Sequence, residues 1–321
     1  RFEAADEEQL YWAVYEFNWF PFLKINQTFS IDATVYSDTF RHSKYVALKS
    51  KDAIVDQFRK RIQRRPNVDT QQPDIRINIH VFETSFTVSL DTTGDSLHKR
   101  GYRMRTHAAP LNEVLAAGMV LLSGWKPDQV LIDPMCGSGT LLMEAALMAK
   151  NIPPAPKNRR FAFQNWKDYD SELWKKTLSE SKENIKSPEL KIMGSDYDQY
   201  SLDIAKESIL KFRLEHDIQI FRKDFKHLVP PEEPGVMITN PPYGERLDDG
   251  DMENFYEQIG DRLKQEWQGW EAWIISSNMD ALKKVGLKAS KKQTLYNGPL
   301  ECKFQQYSLY AGSKKEKKDA E

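Results

Sequence analysis

The apolar positions at the start of the chain alternate between a helical and a two-residue spacing. Leu10, Ala13, Val14 and Phe17 recur at helical intervals, whereas Phe29, Ile31, Ala33 and Val35 alternate with polar residues as a half-buried strand does. Ala53, Ile54, Phe58 and Ile62 mark a second helix. Ile75, Ile77, Ile79 and Val81 alternate, and so do Phe86, Val88 and Leu90, with a short turn between them that predicts a hairpin. Helices on one face of a small sheet make residues 1–95 an α+β domain. The chain is expected to open directly on its first helix, with no strand before it.

Residues 96–110 read as a linker and residues 111–312 as a second domain, built differently. The polar stretch Thr92 to Thr106 leads into a helix with Leu111, Val114, Leu115, Met119 and Leu122 on one face, closed by Gly124. A short buried strand at Val130 to Ile132 precedes a helix carrying Leu141, Ala145 and Met148, with Leu142, Ala146 and Ala149 beside them. Asn151 to Leu190 is a polar excursion containing Pro153, Pro154 and Pro156. Further strands are predicted at Lys191–Asp196, Ile218–Phe221, Gly235–Ile238 and Ala272–Ile275. Helices fall on Leu202, Ala205, Ile209 and Phe212, and on Phe255, Ile259 and Leu263. Gln293–Tyr296 is expected to pair with a last strand holding Phe304 and Tyr307 to Tyr310. Such βαβ repeats closing in a hairpin describe an α/β domain. The tail 313–321 is charged and expected to be disordered.

The candidate chemistry lies at the ends of two of these strands. Asp133-Pro134-Met135-Cys136-Gly137-Ser138-Gly139-Thr140 is a strand end, a Gly-rich turn and a helix start. Gly137 and Gly139 let backbone approach a ligand, and the helix N-terminus leaves N–H groups facing it. Asp133 has the opposite sign and suits an ammonium or a hydroxyl donor. A carboxylate beside free amides fits S-adenosylmethionine, whose methionyl end carries both an amino group and a carboxylate. A phosphate-binding P-loop would want Lys after the second Gly, where Thr140 stands. A dinucleotide turn would want three glycines at G-x-G-x-x-G spacing, and two are present. Asp196, at the end of the next strand, lies where a carboxylate would accept the cofactor's ribose hydroxyls.

The second stretch, Asn240-Pro241-Pro242-Tyr243, follows the strand ending at Ile238. Two prolines force a rigid, extended turn. The Asn240 side-chain oxygen and the Pro241 carbonyl can then accept from one planar amino group, and Tyr243 can stack on the ring bearing it. Positioning supplies most of the effect, because the nitrogen can lose its proton after transfer. The bland alternative is a Pro-rich loop after a strand.

Together these stretches resemble the class I, N-specific methyltransferases. Leu97-His98-Lys99-Arg100-Gly101-Tyr102-Arg103, Ala109-Pro110-Leu111, the turn Asp133 to Thr140, and Asn240-Pro241-Pro242-Tyr243-Gly244-Glu245-Arg246-Leu247 are narrower. They resemble the THUMP-domain guanine-N2 RNA methyltransferases, especially the bacterial enzymes acting on large-subunit ribosomal RNA, and the similarity runs along nearly the whole chain. The resemblance implies a Rossmann-like, seven-stranded C-terminal domain that uses S-adenosylmethionine. It implies an N-terminal THUMP-like RNA-binding domain that is either N-terminally truncated or disordered at its start, because family members carry more sequence ahead of this point. Asp224 is implied to contact the adenine amino group; otherwise it is a surface aspartate in a turn. The choice of guanine N2, and of ribosomal over transfer RNA, is implied by the resemblance alone. A non-catalytic RNA-binding or ribosome-assembly protein that kept the fold would be expected to have lost part of Asp133, the glycines or Asn240 to Tyr243, and all are intact. A DNA amino-methyltransferase would leave the N-terminal domain without a purpose.

Composition adds limits. Hydrophobic residues make up 40% of the 321 and charged residues 29%, the balance of a globular chain with room for two cores. No apolar run suits a membrane helix and no secretory pattern opens the chain, so a cytoplasmic protein is expected. Cys136 and Cys302 are the only cysteines, which excludes a disulfide framework and a four-Cys zinc site; no metal is expected. Cys136 is read as a small turn residue, with no nucleophilic role.

The net charge of −1 does not advertise nucleic acid, but its distribution does. Arg41 to Arg65 holds nine Lys and Arg, including Arg41, Lys44, Arg61, Arg64 and Arg65, against Asp52 and Asp56, a local charge of about +7. Either RNA binds there or the cluster is a solvated helix face. Lys99, Arg100 and Arg103 could meet RNA phosphates or the cofactor's carboxylate side, or merely form a structural linker. In the excursion, Arg159 and Arg160 lie beside Phe161, Phe163 and Trp166. Interleaved cations and rings suit unpaired RNA; such rings equally pin a loop to a core.

Overall fold

The structure is a computed structural model that describes residues 1–103, 105, 111–155, 159–242 and 249–310. It divides into two compact units, one of Arg1–Ser96 with Lys157–Ser179, the other of Leu97–Pro156 with Glu180–Glu321.

In the first unit a two-residue strand β1 (Phe2–Glu3) precedes helix α1 (Glu7–Glu16), followed by β2 (Thr28–Tyr36), α2 (Ser43–Ile62), β3 (Asn67–Val68), β4 (Ile75–Phe82) and β5 (Ser85–Leu90). The chain therefore opens on a strand, not on the helix expected: Phe2 and Glu3 pair antiparallel with Phe86 and Ser85, too few residues to leave an alternating pattern. The sheet order is β1-β5-β4-β2-β3. The predicted hairpin is present, with Val81 opposite Phe86 and Ile79 opposite Val88. Leu10, Val14, Phe29, Ala53, Ile54, Phe58, Ile75, Ile77, Ile79, Val81 and Phe86 form one buried core. Phe17 and Ile62 do not join it and are exposed, because each falls at a helix end where the apolar stripe has turned away. The opposite face of the sheet, with Asp32, Arg76, Asn78 and Ser89, borders an open polar cavity of about 500 Å³.

The second unit contains α3 (Glu113–Ser123), β6 (Leu131–Asp133), α4 (Thr140–Ala149), β7 (Ile192–Asp196), α6 (Gln199–Phe212), β8 (Ile218–Arg222), β9 (Val236–Thr239), α7 (Asp249–Glu266), β10 (Glu271–Ser276), α8 (Met279–Lys284), β11 (Lys291–Asn297) and β12 (Leu300–Ser308). Between α4 and β7 the excursion forms a 3-10 turn, Ala162–Asn165, and helix α5 (Ser171–Glu183). The sheet is seven-stranded, in the order β11-β12-β10-β9-β6-β7-β8. Strands β8 to β10 run parallel to one another across β6, and β12 pairs antiparallel with β10 and β11. Alternate residues feed two cores: Leu131, Ile192, Ile238 and Ile275 pack with α3, α4 and α6, while Ile132, Met237, Ala272 and Ile274 pack with α7 and α8. This is a doubly wound sheet, buried on both faces. Among the described residues no helix is long and apolar enough to cross a membrane.

Three expectations change here. Helix α3 buries Glu113, Ala116, Met119 and Val120, while Val114 and Leu122 of the expected face are exposed. The helix is apolar nearly all round, so spacing cannot fix its phase; the ion pair between Glu113 and Arg103 (3.1 Å) does. The excursion is not a loop of the second unit, since residues 157–179 belong to the first: the Phe163 N–H donates to Thr92 O (3.1 Å) and the Asn165 amide to Asp74 O (3.0 Å).

The linker, finally, is built into the second unit. Tyr102 is fully buried, and Arg100 is buried with its guanidinium on Glu144 (3.2 and 3.3 Å). The Tyr102 hydroxyl also donates to Glu144 (3.0 Å). A carboxylate at this depth needs partners, and removing one leaves an uncompensated buried charge. Arg100→Ala is therefore expected to lower unfolding free energy by about 3–5 kcal/mol, read from urea denaturation; a cost near zero would show that the pair does not hold the segment.

Candidate active site

Strand order puts the first strand of the second unit, β6, in the middle of its five parallel strands. From it the chain runs outward through β7 and β8, then returns to β9 on the other side. That reversal opens a crevice at the carboxyl ends of β6 and β9, the usual ligand position in such sheets. Asp133 ends β6 and Asn240 follows β9 directly. With Leu131 paired to Val236 and Ile132 to Met237, the two sites rise side by side.

The Gly-rich turn is fastened to β7. The Cys136 N–H donates to Ser195 O (2.9 Å), the Gly137 N–H to Asp196 Oδ2 (2.8 Å), and the Ser195 hydroxyl to Pro134 O (3.2 Å). Gly194 allows this approach: a Cβ there would lie 2.3 Å from Leu142 Cδ1 and 3.1 Å from Cys136 Sγ. Gly139 caps α4 at φ +77°, a conformation most side chains resist, and a Cβ on it would press on Ala205 at 3.1 Å. Helices α3 and α6 start on the side-chain caps Asn112 and Asp198; α4 has none, so its first N–H groups remain for a ligand. Ser138 is half-buried in the turn and Thr140 is buried.

Three acids fall near this turn or on the strand beside it. Burial, with Asp196 adding to it, pushes the Asp133 carboxyl up to about 7 against the opposing pull of the Thr239 hydroxyl and the Met135 N–H. Both oxygens of Asp196 accept backbone N–H, from Gly137 and Asp198, and each keeps a lone pair for a hydroxyl. Asp224 is exposed after β8 and caps the short turn Phe225–His227 through the Lys226 N–H (2.8 Å). Burial, with Asp133 and Asp196 adding to it, holds the Cys136 thiol well above its ordinary range, so it stays protonated and unreactive.

On the β9 side, Pro241 is buried and Pro242 half-buried. Among the described residues the Asn240 Oδ1 is buried without a hydrogen-bond donor. A buried acceptor in that state is costly until a donor reaches it. Tyr243, like Gly244 to Leu247 and Ala109-Pro110, lies outside the described residues.

Comparison with known proteins now bears directly on this crevice. The model of the RMKL-like methyltransferase domain matches residues 100–306, and the THUMP domain model matches residues 4–91. The chain belongs to the RMKL-like methyltransferase family. A candidate RNA methyltransferase from Synechocystis sp. is 40% identical over 96% of this chain and 81% of its own length. The ribosomal RNA large subunit methyltransferase K/L of Methylococcus capsulatus is 40% identical over 95% of this chain. The match covers 42% of that protein, so the chain spans less than half the length of the K/L relative. A candidate methyltransferase structure, SMU.472 complexed with SAH, superposes with a TM-score of 0.85 at 32% identity, covering 97% of this chain and 83% of that one.

Family and fold make S-adenosylmethionine the cofactor. The residues present fit it: a turn left bare at Gly137 and Gly139, a helix start with no side-chain cap, buried acids at the ends of β6 and β7, and across from them an acceptor with no donor among the described residues. Ser195, Gly194 and Thr239, which support the turn and tune Asp133, escape a reading of motifs. A strand ending in Gly-Ser-Asp beside a Gly turn is the signal for the first two; Thr239 has none.

The cations expected to meet RNA separate into two groups. Arg41, Lys44, Arg61, Arg64, Arg65, Lys99 and Arg160 are exposed. Arg100 is not: its burial on Glu144 leaves no face for a phosphate. Arg103 is likewise committed within the fold, to Glu113 (3.1 Å), Leu111 O (2.7 Å) and the Thr140 hydroxyl (2.6 Å), which places it at the start of α4, on the turn side. Arg159 donates to the carbonyls of Asp95 and Ser96 and stacks on Phe161 (5.3 Å). Phe161, Phe163 and Trp174 pack on one another at 5.0–5.5 Å, and Trp166 packs against the core of the first unit, so the rings pin the excursion.

Asp133 can attract an ammonium only when ionised. Affinity for S-adenosylhomocysteine is therefore expected to fall as pH drops through about 7, approaching about tenfold per pH unit below it. Calorimetric titration of wild type and Asp133→Asn checks this, the variant binding weakly with a flat profile. A flat wild-type profile would remove Asp133 from the ammonium site.

Proposed function

We propose that this protein methylates RNA on the exocyclic N2 of a guanine, with large-subunit ribosomal RNA as its substrate. The observation carrying the reading is the buried Oδ1 of Asn240 beside the cofactor turn, which has no donor among the described residues. An acceptor in that state suits an N–H of a planar amine, and the Pro241 carbonyl takes the second N–H. The K/L relatives and the THUMP domain support RNA, and ribosomal RNA in particular, as the substrate.

Bound S-adenosylmethionine supplies an electrophilic methyl group. Asp133 holds the methionyl ammonium, the α4 N-terminus and the turn Pro134, Cys136, Gly137, Ser138, Gly139 and Thr140 hold the carboxylate end, and Asp196 takes the ribose hydroxyls. Asp224 reaches toward the adenine amino group with the oxygen that does not cap its own turn. Asn240 and Pro241 fix the acceptor nitrogen, Pro242 stiffens the turn, and Tyr243 stacks on the base. Fixing the nitrogen is the catalytic contribution; proton loss follows transfer and needs no dedicated base. Because a guanine amine points into the minor groove of a duplex, the base must be extruded to reach Asn240. The exposed cations Arg41, Lys44, Arg61, Arg64 and Arg65, with Lys99 and Arg160, bind backbone phosphates.

Tritium transfer from labelled S-adenosylmethionine to RNA from cells lacking the gene, followed by nucleoside analysis, tests the proposal. Label in N2-methylguanosine of large-subunit RNA is expected. Label in transfer RNA or in another nucleoside would discard the substrate and keep the mechanism; cofactor binding without transfer would favour a non-catalytic RNA-binding role. Asn240→Ala should leave S-adenosylhomocysteine affinity near wild type and cut turnover about tenfold to a thousandfold, the scale for losing one positioning contact; an unchanged rate sinks its role. Charge reversal at Arg61, Arg64 and Arg65 should weaken RNA binding and flatten the dependence of log affinity on log salt. An unchanged slope would show that this face does not touch phosphate.

A further inference from the structure

One guanidinium ties together the first residues of α3 and α4. Arg103 Nη1 pairs with Glu113, which opens α3 (3.1 Å), and Nη2 donates to Leu111 O just ahead of it (2.7 Å). The same Nη2 donates to the hydroxyl of Thr140, which opens α4 (2.6 Å). Glu113 and Thr140 are buried, and the Arg103 side chain is 15% exposed.

Helix stability does not explain this arrangement. The start of a helix carries partial positive charge, so an acid there is favourable and a cation is not. Glu113 suits α3. At α4 the charged side chain is an arginine, with no acid in the first turn and no side-chain cap. A helix start with a cation added to it is matched by an anion.

The direction of the bond to Thr140 says more. A guanidinium has donors and no acceptor, so Thr140 Oγ1 must accept, and its own proton is left to donate elsewhere. Among the described residues that proton has no acceptor. Arg103 Nε is likewise buried without an acceptor among them. Buried donors in that state are costly until an acceptor reaches them.

We infer that Arg103, held by Glu113, is a positioning residue that fixes the Thr140 hydroxyl as a donor to the methionyl carboxylate of the cofactor. A bond from a guanidinium polarises the hydroxyl that accepts it and strengthens the donor left over. The site therefore selects an adenosyl ligand that carries a carboxylate over one that lacks it. The inference rests on the placement of that carboxylate at the start of α4, and adds the residues that aim the donor.

Calorimetric titration of the full chain with S-adenosylhomocysteine, and with its decarboxylated analogue, tests it. Wild type should bind the carboxylate-bearing ligand more tightly. Thr140→Val, nearly isosteric, should lose about tenfold to a hundredfold of S-adenosylhomocysteine affinity, the scale of a hydrogen bond to a charged group. It should bind the analogue as wild type does. Thr140→Ser, which keeps the hydroxyl, should stay near wild type for both ligands. Arg103→Met is made together with Glu113→Gln, so that no buried charge is left unpaired. That pair should also lose affinity for S-adenosylhomocysteine alone, and adding it to Thr140→Val should cost little more, because the residues act through one hydroxyl. Arg103→Lys, which keeps the charge, reads the same effect if the pair does not fold. Wild type that binds both ligands equally overturns the carboxylate's placement and the inference with it. If wild type discriminates and Thr140→Val discriminates as well, the turn alone holds the carboxylate and the inference falls by itself. Arg103 variants that keep full discrimination, or that lose both ligands equally, give Arg103 no role beyond structure and overturn it too.

Discussion

A carboxylate buried at the carboxyl end of β6 is the constraint around which the second unit is arranged. Asp133 has lost its water, and the two groups that favour its charge, the Thr239 hydroxyl and the Met135 N–H, do not offset the burial. An acid whose folded pKa lies above its unfolded value stabilises a fold while protonated, and that contribution is lost as pH rises from 3.8 to about 7. Near neutrality the empty site therefore stands against folding, and a bound cation would relieve it. The Asn240 oxygen, with no donor among the described residues, is frustrated in the same sense. The fold tolerates both because the sheet beneath them is packed on both faces. A site that costs stability when empty is preorganised for what fills it.

The second buried acid, Glu144, is answered within the chain. Burial pushes its carboxyl up, and Arg100 and Tyr102 pull it back. The effect is to weld the segment after Leu97 onto α4, so that Arg103 reaches the Thr140 hydroxyl at the start of the same helix. A stretch that looks like a polar connection is thus part of the support of the cofactor turn, in keeping with the family match beginning at residue 100.

Which features the sequence disclosed follows from how local their causes are. The turn at Gly137 to Gly139 and the prolines after Asn240 restrict backbone within a few residues, so their strand-end positions were legible. The βαβ alternation that makes most of the sheet parallel was legible too, but it does not by itself give the strand order. The commitment of Arg100 and Arg103 to internal ion pairs was not legible, because their partners Glu144 and Glu113 lie in other elements. Yet Glu144 stands alone in the apolar run Leu141 to Met148, and an acid so placed requires a cation. The phase of α3 was illegible for the opposite reason, having too many apolar residues to choose among. The excursion misled because its assignment to the first unit depends on Thr92 and Asp74, far away in the chain. Tyr243, the remaining motif residue, lies outside the described part.

On the proposed reading, the chemistry at Asn240 cannot account for selectivity. An oxygen acceptor and a neighbouring carbonyl recognise a planar amine, a group shared by guanine, adenine and the side-chain amides. Binding energy that discriminates among them must come from contacts remote from the reacting nitrogen. The net charge of −1 conceals where those contacts are, since the excess of cations between Arg41 and Arg65 is balanced elsewhere in the chain. A separate RNA-binding unit resolves the difficulty physically. On that reading the first unit would collect phosphates over a wide surface, leaving the methyltransferase unit to hold one nitrogen still.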